Sequence, residues 1–101
     1  MRYVATPVRR SMRELGENLR TQRKLLGLTA QMVADRAGIS APTLTKLESG
    51  GGAGLDVTFS VLRVLGMLDP VVQASDPYTT AVGRLRADEH LPQRVRVRRE
   101  S

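Results

Sequence analysis

An all-α domain of five short helices followed by a basic tail is the fold that this 101-residue sequence predicts. Three observations carry that expectation. Apolar residues recur at helical steps, in Met12, Leu15, Leu19 and Leu26 and again in Leu55, Phe59, Leu62 and Leu65 or Met67. Glycines at 27, 38 and 50 each follow such a run, where glycine takes the left-handed stop without penalty. Thr29 and Ser40 stand just ahead of the next runs, in the place of helix N-caps.

The elements follow in order. Residues 1–10 read as an arm, since Pro7 with Thr6 before it argues against a helix there. Ser11 and Glu14 have the spacing of a capping box and open the first helix, which Gly27 closes. Thr29 caps a second helix over 30–37, and Gly38 stops it. Ser40 caps a third over 41–49, with Pro42 in its first turn, where a missing N–H costs little. The glycine-rich stretch 50–54 is a loop whose backbone can lie close to another surface. A fourth helix covers 55–66, and Asp69-Pro70 reads as cap and first position of a short fifth over 70–74. Asp76-Pro77 marks a boundary. This gives an arm (1–10), a helical domain (11–76) and a polar, Arg-rich and partly disordered tail (77–101). Within the tail, RVRVR at 94–98 alternates like a strand and suits addition to a partner.

Composition narrows the function. There is no cysteine, which removes disulfides, thiolate metal sites and a cysteine nucleophile. No run of 18 apolar residues and no apolar signal core are present, so a cytoplasmic protein without membrane contact is expected. The core must be aliphatic, with one Phe, two Tyr and no Trp, and it is thin enough that dimerisation is a natural supplement. Sixteen Lys and Arg against ten Asp and Glu leave a net charge of +6, which fits either a polyanionic partner or solubility alone. His90 is the only histidine and has no second ligand or catalytic constellation around it. The glycine loop lacks the Lys-Ser ending of a phosphate-binding loop. No catalytic residue, metal or cofactor is therefore expected.

The most informative stretch is TAQMVADRAGISAPTLTKLES, residues 29–49. Val33, Ala37, Ile39, Leu44 and Leu47 fall on the inner faces of two helices, and the small Ala34 lets the two backbones approach. Gly38 supplies the positive φ that turns one helix steeply into the other. Helices of about nine residues do not persist alone and must be held by their neighbours. A pair held in this way leaves the outer face of the second helix projecting, and such a helix fits the major groove of B-DNA.

Residues 15–68 resemble the Cro/phage-repressor (XRE) helix-turn-helix family. LGLT at 26–29, VADRAGIS at 33–40, TLTKLESG at 43–50 and LRVLGM at 62–67 all lie in the register of that family. The resemblance implies a five-helix lambda-repressor-like domain that binds operator DNA, usually as a homodimer. It also implies roles for particular positions. Ala41, Pro42 and Lys46 occupy the places that meet base edges. Ala41 and Pro42 have no side-chain hydrogen-bonding group, so they are limited to packing on a thymine methyl or reading shape, which leaves Lys46 for polar readout of guanine. Thr43 and Thr45 can bond phosphate or a base edge. Thr29 and Gln31, with the free N–H groups of that helix end, form the expected phosphate grip. Ser49 completes the DNA-binding set. Relatives often carry basic residues after the recognition helix, whereas here the loop offers main-chain N–H groups. Arg23 and Glu48 match a structural ion pair of some relatives.

Other features read as ordinary. Asp35 and Arg36 suit a solvated face, and Met12, Met32 and Met67 suit core filling. The segment GRLRADEHLPQRVR at 83–96 mixes Asp88 and Glu89 with Leu85, Leu91 and Val95, and it resembles the tail of HipB-type antitoxins, which accompany HipA-type kinase toxins. Two functions result: a dimeric, sequence-specific transcriptional (auto)repressor, or an antitoxin that binds a protein toxin and autoregulates its operon.

Overall fold

A computed structural model describes residues 3–91. Its elements are α1 (Thr6–Leu25), α2 (Ala30–Ala37), α3 (Ala41–Glu48), α4 (Leu55–Val64), α5 (Leu68–Ala74), a 3-10 turn (Pro77–Thr79) and α6 (Ala81–His90). The described residues are all-α, as their periodicity predicts. The described residues divide into two units at Asp69 and Pro70, within α5.

In the first unit the expected caps form. Thr29 Oγ1 accepts the Met32 N–H at 3.1 Å, and Ser40 Oγ accepts the Thr43 N–H at 3.2 Å. Gly27, Gly38 and Gly50 all adopt positive φ. At Gly38 (φ 72°) the turn is closed by the Ile39 N–H, which donates to the Ala34 carbonyl at 3.0 Å. This reverses the chain within three residues, so that α2 and α3 pack directly on each other. Neither helix exceeds eight residues. α2 also rests on α4, and α3 rests on α1. The buried core is aliphatic: Leu19 from α1, Val33 and Ala34 from α2, Leu44 and Leu47 from α3, Val61 and Leu62 from α4, and Leu65 after it. Ala34 is fully buried between α2 and its neighbours, as its small side chain suggests.

Several expectations need correction. The arm does not extend to residue 10, because α1 begins at Thr6 with Pro7 in its first turn. The first four N–H groups of a helix have no intrahelical partner, so proline there forfeits nothing. Ser11 and Glu14 are consequently mid-helix and exposed, and their capping box does not form. Leu55 is 70% exposed because, as the first residue of α4, its side chain leans back past the helix end and away from the body. Leu26, beyond the end of α1, and Met32 are also partly exposed and belong to neither the core nor the residues packed on it, so Met32 is not core filler. Helix α5 starts at Leu68, which puts Pro70 third in the helix, again among the free N–H groups, and Asp69 inside it.

In the second unit the described residues carry the 3-10 turn and α6. Asp76 Oδ1 accepts the Tyr78 N–H at 2.9 Å, and Thr80 Oγ1 caps α6 by accepting the Gly83 N–H at 2.9 Å. Arg84 Nη1 donates to the Tyr78 carbonyl at 2.7 Å. No residue of this unit is buried among those described. RVRVR at 94–98 and Val95 lie outside the described residues.

Candidate nucleic-acid interface

Helix α3 has two faces. Leu44 and Leu47 point into the core. Pro42, Thr45, Lys46 and Ser49, spaced at three- and four-residue steps, form an exposed stripe on the other side. Ala41 and Thr43 flank the stripe and are half-buried. Ala41 packs on the core cluster, and Thr43 Oγ1 lies 2.8 Å from Ser40 Oγ. Thr29 and Gln31 stand apart from these residues at the N-terminus of α2, where Gln31 Nε2 donates to Asp35 Oδ1 at 2.8 Å. The sequence-predicted residues therefore form two groups, one at the start of α2 and one along the outer face of α3.

α1 anchors the last turn of α3. Arg23 is buried, and its guanidinium makes three bonds: Nε to Glu48 Oε2 at 2.8 Å, Nη2 to Glu48 Oε1 at 3.1 Å and Nη1 to the Leu28 carbonyl at 3.2 Å. Both side chains of the ion pair are about nine-tenths buried. The hydrogen bonds that Arg23 donates to Glu48, aided by the negative charge of that carboxylate, raise the Arg23 pKa above the ordinary arginine value against the opposing effect of burial. The guanidinium therefore stays charged at any working pH. A bidentate pair fixes distance and orientation together.

Gly16 is the second anchor, and sequence reasoning missed it. A Cβ there would stand 2.5 Å from the Glu48 carbonyl oxygen and 2.6 Å from that of Leu47. Only a bare Cα lets α1 cross so close to the last turn of α3. The available signal was a glycine inside a strongly periodic helix, which costs about 1 kcal/mol relative to alanine and so calls for a packing reason. Gln22 was missed as well. Its Nε2 donates to the Leu65 carbonyl at 3.2 Å and ties α1 to the end of α4.

Lys46 and Arg13 pack closely on the turn after α3. The Gly51 N–H donates to the Lys46 carbonyl at 2.8 Å, and the Lys46 stem lies over Gly51, where a Cβ would come 2.6 Å from Lys46 Cγ. Arg13 of α1 packs against Gly50, whose φ is 87°.

Among the described residues no helix is long and apolar enough to cross a membrane. No curated protein matches the chain. The family model described as "Helix-turn-helix domain" matches residues 14–74, which is more than half of the sequence and spans α2, the Gly38 turn and α3. The chain belongs to the helix-turn-helix domain family of the XRE/Cro type, a family of DNA-binding regulators.

Proposed function

We propose that the chain is a sequence-specific transcriptional repressor that acts as a homodimer on an operator, its own promoter included. The observation that carries this reading is the exposed stripe of α3. Pro42, Thr45, Lys46 and Ser49 are presented by a helix whose opposite face is locked into the core and whose last turn is clamped by Arg23. In this reading α3 enters the major groove. Lys46 donates to a guanine edge, and Ala41 and Pro42 provide apolar contact with a thymine methyl or read groove shape. Thr43 and Thr45 bond a base edge or phosphate, and Ser49 bonds phosphate. Thr29, Gln31 and the N–H groups opening α2 hold the phosphate backbone. Gln31 exchanges its bond to Asp35 for one to DNA. Two subunits place their α3 helices in successive major grooves about 34 Å apart. The test is selection of bound fragments from random duplex DNA with the full chain, followed by titration in salt. A palindromic consensus bound in a salt-sensitive way is expected, and the absence of any enriched sequence would refute specific recognition.

A second reading, an antitoxin that neutralises a HipA-type kinase toxin and autoregulates its operon, is favoured by a separate observation. The second unit buries none of its described residues, and Val82, Leu85 and Leu91 are exposed on and just after α6. A protein partner for this unit would protect residues 77–101 from proteolysis. Equal cleavage with and without a co-expressed kinase would count against it.

A further inference from the structure

The loop after α3, residues 50–54, is Gly-Gly-Gly-Ala-Gly and has no side chain able to hold a phosphate. The fold nevertheless brings a cation to it. Gly50 is so closely covered by Arg13 that a Cβ there would lie 2.7 Å from Arg13 Cγ and 2.9 Å from its Cα. Gly51, the next residue, is covered by the stem of Lys46. In one dipeptide turn, then, one glycine is covered by the stem of an arginine from α1 and the next by the stem of a lysine from α3. The approach is set by Gly16, one helical turn after Arg13, which rests on the carbonyl oxygens of Leu47 and Glu48. The Arg13 side chain is exposed, and among the described residues no carboxylate lies within ion-pair range of it. Glu17, one turn away on α1, does not reach it, and Glu48 is engaged by Arg23. Arg9, a turn earlier, folds back instead, its Nε donating to the Val4 carbonyl at 3.4 Å.

The geometry points to Arg13 as a contact to the DNA phosphate backbone beside the Gly50–Gly51 turn, supplied by α1 where the loop has only main-chain N–H groups. This rests on the reading of α3 as the groove-binding helix, because Lys46 marks the DNA-facing flank of the same turn. A phosphate contact carries no sequence information, so Arg13 adds affinity and salt dependence without base preference.

The test compares the full-length wild type with Arg13→Gln, Arg13→Lys and Arg63→Gln on the selected duplex and on an unrelated one, between about 50 and 200 mM salt. Arg63 is an exposed cation on α4 and controls for net charge. Arg13→Gln should lower the slope of log affinity against log salt by about one unit and weaken binding to both duplexes by a similar factor of about ten at the lower salt. Arg13→Lys should retain the slope, and all variants should melt with the wild type. An unchanged slope in Arg13→Gln overturns the assignment. So does an equal fall in Arg63→Gln, which would mean that the slope reports net charge alone. Failure of the wild type to bind any duplex overturns the function proposed above and this contact with it, whereas wild-type binding with an unaffected Arg13→Gln overturns this contact only.

Discussion

Arg23 and Glu48 join α1 to the last turn of α3 through two parallel hydrogen bonds, of 2.8 and 3.1 Å, in a site from which most water is excluded. Removing one member leaves the other charged and buried, which costs far more than the pair itself contributes. Arg23→Met is expected to destabilise the domain by about 3 kcal/mol, measured by urea unfolding. The double substitution Arg23→Met with Glu48→Leu should recover a large part of that loss. The sign of the pH effect follows from the raised arginine pKa. The contribution is complete below the unfolded arginine value and is lost only above the folded one, so no loss from Arg23 is expected between neutral pH and about pH 10.

Gly16→Val places a branched side chain against the Leu47 and Glu48 carbonyls, which are main-chain atoms at a helix end and cannot move aside cheaply. The two helices must separate, loosening the core around Leu19 and Leu47. A loss of at least about 2 kcal/mol is expected, comparable with overpacking elsewhere in protein cores. Thermal melting would show it, and a wild-type midpoint would mean that α1 and α3 do not cross where the fold puts them.

Gly38 differs in kind. Nothing lies within 4 Å of a Cβ placed there, so the only obstacle is its φ of 72°. Gly38→Ala should therefore cost about 1 kcal/mol, the strain of a left-handed residue, and Gly38→Val somewhat more. A large loss in Gly38→Ala, similar to that of Gly16→Val, would show that the turn is sterically crowded after all.

These two glycines show what the sequence makes legible. Gly38 sits between two capped apolar runs, so its role is local and can be read from neighbours within ten residues. The role of Gly16 depends on carbonyls about thirty positions away, and no local pattern reveals that distance. The same division applies to the rest of the molecule. Caps at Thr29 and Ser40, the inward stripe of α3 and the bend between α2 and α3 are all legible from spacing. The start of α1 is not, because a proline reads as a helix breaker as readily as a first-turn residue. Arg13 is also invisible as a neighbour of the loop, since only the crossing of α1 and α3 brings it there. On the candidate interface, spacing reveals that α3 has an outward face but not the bond between Gln31 and Asp35, which occupies the side-chain amide expected to hold phosphate.

Lys46→Ala removes an exposed side chain from the outer face of α3 without touching Leu44 or Leu47. Stability should stay within about 0.5 kcal/mol, as for other surface substitutions. Binding to the selected duplex should weaken by about 1–3 kcal/mol, with preference relaxed at one base position. Competition binding against duplexes varied singly at each position would show this. A uniform loss across all sequences would instead assign Lys46 to phosphate.

Removal of residues 77–101 tests where the cooperative unit ends. Among the described residues every buried one lies between Gly16 and Leu65, and the partly buried ones packed on the core extend only to Leu68. The deleted segment includes the 3-10 turn and α6, whose hydrogen bonds at Asp76, Thr80 and Arg84 are all local and exposed. Such bonds add little to the stability of a separate core, so the shortened chain should unfold in a single transition within about 1 kcal/mol of the full one. Six of the sixteen cations leave with the segment. If they lie away from DNA, the salt slope of binding will hold, and if they touch phosphates it will fall by up to about one unit for each phosphate they neutralise. Loss of the cooperative transition would place residues 77–101 within the fold or its dimer interface, and equilibrium sedimentation of the two chains at matched concentration would distinguish those outcomes.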